Sequence, residues 1–408
     1  MSTYETLTSP RLVSLREDLA AGKSTALDNF WQEIGARGTP LVEPISNSDQ
    51  SLVTFLWQAK DEHDNVAVVS NLSGRDGACE AMTLLPGSNV WYKTYKIFNH
   101  TRESYQISLD GNNIADPHNP LKHLYPVDED TGVGGWESSV FALPDAPTEK
   151  WNNPLPDVPA GQVTKYRLHS TFLDGEYPIW VYTPPGYPGD GESYGFLVTT
   201  DGELYAQVLH TPAILDNLLA AGEIPPMLAF MVGGAYSKTR PRNLGCYPPF
   251  VIFLVQELIP WAGQNFKLTH DPEKTAIVGL SRGGLMAPYI ALCHPEVFGN
   301  VIAQSGYFDW KPEGEIEPGW LPRQYAESPR LPLKFHLDAG LYETEVSTIE
   351  GTPTDILAST RRMRDLLQTK GYPVHYSEFS GGHGPINWPR TLADGLKVLF
   401  GSLTGRKL

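Results

Sequence analysis

The chain has 408 residues, more than one domain ordinarily holds, and its 41% hydrophobic content can fill substantial cores, while 35 prolines and 38 glycines favour many loops over long helical bundles. A formal net charge of −16 argues against nucleic acid or an anionic membrane surface as partner, and no run is long and apolar enough to span a bilayer. Three widely spaced cysteines (Cys79, Cys246, Cys293) fit a reducing compartment without a disulfide frame or zinc site, and the first 22 residues carry no continuous apolar leader, so a cytoplasmic location is expected.

In chain order, Leu12, Leu15, Leu19, Leu27, Phe30, Trp31 and Ile34 keep helical spacing until Gly35 and Gly38-Thr39-Pro40 stop it. Short alternating strands follow up to about Phe141. The clearest are 51–57, 65–69, 90–95 and 104–110, and their turn punctuation predicts a small β-sandwich. Residues 152–161 are too rich in proline and asparagine to hold a ladder or a helix, and they read as a linker. This divides the chain into an N-terminal sandwich with a leading helix (1–150), a linker (151–162) and a C-terminal domain (163–408). In that last part strands at 165–169, 179–183, 196–199, 228–232, 275–278, 300–304, 334–338 and 374–378 alternate with helices, most clearly 250–261 and 353–369. Alternation of this kind means an α/β domain, with a mostly parallel sheet covered on both faces.

Within it, Gly279-Leu280-Ser281-Arg282-Gly283 falls where the buried-strand run Ala276–Val278 gives way to an apolar helix. A serine between glycines at a strand-to-helix junction is the nucleophile elbow of α/β-hydrolases. The turn leaves no space for side chains beside the serine, and it sets the next N–H, that of Arg282, beside the serine oxygen as half of an oxyanion hole. The nucleophile needs a base, and the base an orienting acid. His383, in a glycine-rich loop directly after the last predicted strand, stands where the base belongs. For the acid, the loop after strand 334–338 offers Asp338, Glu343 and Glu345, with Asp309 a more distant choice. The second oxyanion donor should follow an early strand, which points to the amides of Gly202, Glu203 and Leu204.

These residues together resemble the enterochelin (enterobactin) esterase family, over nearly the whole chain. The resemblance rests on Phe30-Trp31 with Gly38–Glu43, Asn89-Val90-Trp91, Ala115–Pro120, and Asp201-Gly202-Glu203 with Ala206-Gln207. It continues through Gln256–Pro260, Gly279–Gly284, Gln304-Ser305-Gly306, and Gly381-Gly382-His383 with Trp388. It implies a cytoplasmic serine esterase with an immunoglobulin-like domain before an α/β-hydrolase, acting on a cyclic trilactone of catecholoyl-serine units, usually as the ferric complex. It also implies Ser281 as nucleophile, His383 as base and, three residues after Gly340, Glu343 as acid.

Two departures bear on the substrate wall. An expected glutamate is Asn243, and Pro288 falls inside the helix after the elbow, where it should remove a hydrogen bond and kink it. A ferric catecholate is strongly negative, so an acidic protein needs local positive charge, for which Lys238, Arg240, Arg242 and Arg282 are the candidates. Trp388 either stacks on a catechol or packs beneath the histidine loop. The small-molecule siderophore is the one expected partner, with no nucleic acid, membrane or cofactor. Any iron arrives with the substrate, and homo-oligomerisation is left open. The competing reading is an acyl-carbohydrate esterase of feruloyl or acetyl-xylan type, which shares the elbow but acts on polymers outside the cell.

Overall fold

The structure, a computed structural model, describes residues 8–60, 65–189 and 193–401, so part of the leader reading (residues 1–7) lies outside them. The chain divides into two compact units that exchange short segments. The first comprises Met1–Tyr125, Gly135–Thr148 and Ser380–Ile386, and the second Pro126–Gly134, Glu149–Phe379 and Asn387–Leu408.

In the first unit the expected single helix is two, α1 (Pro10–Ala20) and α2 (Ala26–Arg37). Ser9 caps α1 through a 3.2 Å bond from the Leu12 N–H, and Pro10 sits in the first turn, where its missing N–H costs nothing. Gly22, at φ 72°, turns the chain after α1, and the apolar spacing restarts in α2. Leu12, Leu15, Phe30, Trp31 and Ile34 pack on Leu41, Leu56, Val90 and Tyr92 of the strands.

Those strands are β1 (Leu41–Pro44), β2 (Gln50–Gln58), β3 (Val66–Ser70), β4 (Ala78–Ala81), β5 (Thr83–Leu84), β6 (Val90–Phe98), β7 (Arg102–Leu109), β8 (Asn112–Ile114), β9 (Lys122–Tyr125) and β10 (Trp136–Ala142). One sheet runs β1-β2-β6-β5 and the other β4-β3-β7-β10-β9, with β8 on β7. Phe55 of the first meets Tyr105 and Phe141 of the second edge to face, at 4.5 and 5.8 Å between centroids, which makes the pair a sandwich. The stretch 115–120 proves structural. Asp116, fully buried, accepts from the hydroxyls of Tyr105 (2.8 Å) and Thr39 (2.7 Å), and His118 stacks on Trp31.

The second unit is built on eight strands: β11 (Gln162–Ser170), β12 (Gly175–Thr183), β13 (Gly195–Thr199), β14 (Met227–Val232), β15 (Thr275–Leu280), β16 (Asn300–Gln304), β17 (Lys334–Gly340) and β18 (Val374–Phe379). Their order is β11-β12-β14-β13-β15-β16-β17-β18. From β14 onward every pairing is parallel, and β14, β15 and β16 are buried along their whole length because helices cover both faces. The helices are α3 (Thr211–Ala220), α4 (Arg240–Asn243), α5 (Pro248–Ile252), α6 (Ile259–Asn265), α7 (Arg282–Cys293), α8 (Trp320–Glu327), α9 (Ile356–Thr369) and α10 (Trp388–Phe400). The expected helix 250–261 is interrupted by a π-helical segment, Phe253–Leu258, just before Pro260, which has no N–H to give to a regular ladder. Asp355 caps α9, and three arginines of that helix are paired: Arg361 with Glu378, Arg362 with Asp309 and Arg364 with Asp365. Residues 152–161 hold no strand or helix but are tied down, since Asn217 Nδ2 donates to the carbonyls of Trp151 and Asn153.

Candidate active site

Ser281 stands between β15 and α7 at φ 55°, ψ −118°, a conformation side-chain-bearing residues rarely adopt. The surroundings enforce it. Its N–H donates to the Gln304 carbonyl (2.8 Å), and its carbonyl accepts from Leu285 and Tyr307 (both 3.1 Å). Each neighbouring glycine is required by a close approach. A Cβ at Gly279 would lie 2.1 Å from the Gly283 oxygen, and one at Gly283 would lie 2.2 Å from Thr200 Oγ1. This is the strained elbow expected from the pentapeptide.

The contact of Gly283 with Thr200 and Asp201 brings the loop after β13 against the elbow. Of its three amides named as oxyanion donors, two are engaged. The Leu204 N–H donates to the Asp201 carbonyl (2.9 Å), and that of Glu203 turns to its own carboxylate. The Gly202 N–H has no partner among the described residues, and neither has that of Arg282 at the first position of α7. Glu203 instead holds the next loop, its carboxylate accepting from the N–H groups of Gly234 (2.7 Å) and Ala235 (3.1 Å). Burial outweighs those bonds and raises its carboxyl above the ordinary range.

Glu343 lies in the loop after β17, fully buried, with its Oε2 accepting from the Gly340 N–H at 2.9 Å. The other acids named for this role stand differently. Asp338 is buried 3.5 Å from His336, Asp309 pairs with Arg362 at 2.7 Å, and Glu345 is exposed. His383 belongs to the Ser380–Ile386 segment, which groups with the first unit, and is half-buried there. Gly382 before it has no space for a side chain, since a Cβ would fall 2.1 Å from Asn71 Cβ.

The substrate-wall residues sort differently from expectation. Arg240 forms a two-pronged pair with buried Asp201 (2.6 and 2.8 Å), so its charge is spent inside the fold. Trp388 is buried and donates its indole N–H to Ser305 Oγ at 2.9 Å, which makes it packing and not a stacking surface. Lys238 is exposed. Arg242 and Arg282 do line a cavity of about 1200 Å³, together with Tyr307, Trp310, Lys311 and Trp320. Asn243, in place of the expected glutamate, is buried and accepts from the Arg242 guanidinium (2.9 Å) while donating to Tyr177, so it orients the arginine. Pro288 does not end α7, which runs on to Cys293, and the Pro288 carbonyl accepts from Tyr325. The sequence reading missed Trp310 and Trp320, which meet edge to face at 5.9 Å, and Glu350, whose carboxylate lies 2.5 Å from the Arg282 guanidinium. The segments around them carry no local motif that would have found them.

The strand order, the elbow and the buried acid after β17 define an α/β-hydrolase of the carboxylic-ester class, preceded by a β-sandwich. A family model described as putative esterase matches residues 170–399, and the chain belongs to that family. It is 26% identical to the iron(III) enterobactin esterase of Dickeya dadantii, over 91% of this chain and 92% of that one. It is 25% identical to an iron(III) salmochelin esterase of Escherichia coli, over 96% and 98%. Among solved structures, a ferric enterobactin esterase from Salmonella typhimurium superposes with a TM-score of 0.75 at 22% identity, covering 92% of this chain and all of the other.

Proposed function

We propose that the protein hydrolyses the serine-ester bonds of a cyclic catecholoyl-serine trilactone, presented as its ferric complex, and so loosens the ligand's hold on iron. The observation that carries this reading is the coupling of the strained Ser281 elbow to the aromatic and cationic cavity. Tyr307 donates its N–H to the Ser281 carbonyl and lines the cavity, and the side of that cavity also carries Arg282, the residue after the nucleophile. Catechol rings suit the faces of Trp310 and Trp320, and the anionic complex suits Arg242 and Arg282. The curated relatives named above act on substrates of this chemistry by their names.

In the proposed reaction His383 takes the proton of Ser281 as its oxygen bonds to an ester carbonyl carbon. The Arg282 and Gly202 amides hold the oxyanion, a contribution of about 3 to 4 kcal/mol per donor in measured cases. Glu343 stabilises the imidazolium. The C–O bond to the next serine unit breaks, and that alkoxide recovers the proton from His383. Water then attacks the acyl-serine by the same route and releases a free carboxylate. The free state of Cys79, Cys246 and Cys293 supports a cytoplasmic location, and among the described residues no helix is long and apolar enough to cross a membrane.

The test is incubation of the trilactone, iron-free and ferric, with wild type, Ser281→Ala, Glu343→Gln and Glu345→Gln. Stepwise opening that vanishes in the first variant, falls steeply in the second and persists in the third supports the assignment.

A further inference from the structure

Glu103 is the second residue of β7 in the first unit and is 1% exposed. A carboxylate withdrawn from water is strongly disfavoured unless donors replace the water. Main-chain N–H groups reach both of its oxygens, Ser104 donating to Oε1 at 2.8 Å and Gly382 to Oε2 at 2.6 Å, with Asn71 Nδ2 at 3.4 Å from Oε1. Gly382 lies 279 residues along the chain and immediately precedes His383. Within the same unit the segment is fixed at two more points. The Arg102 N–H donates to the Ser380 carbonyl (3.1 Å), and the Thr101 and Ser380 hydroxyls are 2.6 Å apart. Asn71 Cβ closes off the space beside Gly382.

We infer that Glu103 is a positioning residue: through the Gly382 amide it fixes the backbone on which His383 stands, so the N-terminal unit sets the geometry of the base. A sandwich strand has no folding need for a buried carboxylate aimed at a distant loop amide, whereas a base does need a fixed backbone. A misplacement of about 1 Å in a catalytic group costs on the order of 100-fold in rate. The inference rests on the reading of His383 as base. Glutamine is a poor substitute, because its amide NH2 would face one of the two N–H donors that the carboxylate accepts.

The experiment uses the full chain and both the trilactone and a simple aryl ester. It compares Glu103→Ala, Glu103→Gln and, as a stability control in the sandwich, Val68→Ala. Steady-state kinetics are combined with the rate of fluorophosphonate labelling at Ser281. Glu103→Ala is expected to lower kcat by about 100-fold with KM within about twofold, to slow labelling by a similar factor, and Glu103→Gln to fall between it and wild type. Val68→Ala, which opens a core cavity, is expected to lower the melting temperature and leave kcat unchanged. Unchanged kcat in folded Glu103→Ala overturns the inference. So does unchanged kcat in Glu103→Gln should the alanine variant not fold, or an equal loss in Val68→Ala. Ser281→Ala and His383→Ala separate the two failures. If these remain active the catalytic reading falls and this inference with it. If they are dead while the Glu103 variants match wild type, only this inference falls.

Discussion

At the elbow a single methyl group is decisive. Gly283→Ala places a Cβ 2.2 Å from Thr200 Oγ1, and at least about 100-fold loss of kcat is expected, read on an aryl ester with the fold checked by circular dichroism. Activity near wild type would mean that the elbow relaxes freely. Glu350 acts in the other direction. Its carboxylate, 42% exposed, neutralises Arg282 at the cavity wall and competes with an anionic ligand. Glu350→Gln should therefore lower KM for the ferric trilactone roughly two- to fivefold and leave the iron-free form nearly unchanged. Equal effects on both would show that the pair does not read charge. Ser281 was legible in the sequence because its constraint is local, five residues at one junction. Glu350 was not, since its partner lies 68 residues away at the start of α7. Arg240 misled for the same reason: beside two other cations it reads as a charged patch, until the fold brings in Asp201 from 39 residues upstream.

Elements are held in place by a few such long-range pairs. The Asp201–Arg240 pair ties the loop after β13 to α4, with Asp201 1% and Arg240 22% exposed. Arg240→Met leaves a buried carboxylate unpaired and is expected to cost about 3 to 5 kcal/mol in urea denaturation. A loss below about 1 kcal/mol would show the pair to be solvated in practice. All eight strands of the second unit were visible, and β13, β14, β15 and β16 stood out as apolar runs, because parallel strands covered on both faces need them. The break between α1 and α2 was not, because the leucine spacing on either side of Gly22 happens to stay in helical phase. Pro288 has no N–H to give to the α7 ladder, and α7 nevertheless runs on to Cys293 in the core of the second unit.

Across the molecule, pH acts on groups far from the elbow. His375 lies 3.0 Å, nitrogen to nitrogen, from buried His336, and burial first and its neighbour second push its pKa below the ordinary 6.5; burial does the same to His210. Both stay neutral in the fold while the unfolded chain takes up protons. Their contribution is therefore present above about 6.5 and lost as pH falls through the depressed folded values. Glu203 and Asp216, raised by burial, oppose this by taking up protons in the fold. The His375→Gln variant should thus lose less stability than wild type between pH 7.5 and 5.5 in urea titrations, and a steeper loss would contradict the assignment. The division into units was only partly legible, since the exchange of Pro126–Gly134 and Ser380–Ile386 depends on contacts such as Asp130 with Lys165 and Glu103 with Gly382. The measurement that bears most directly on the account is chromatography with mass detection of a catecholoyl-serine trilactone, ferric and iron-free, with wild type and Ser281→Ala. The account predicts stepwise conversion to linear fragments by wild type and none by the variant. An intact trilactone, with simple aryl esters still cleaved through Ser281, would contradict it, leaving the hydrolase and removing the siderophore.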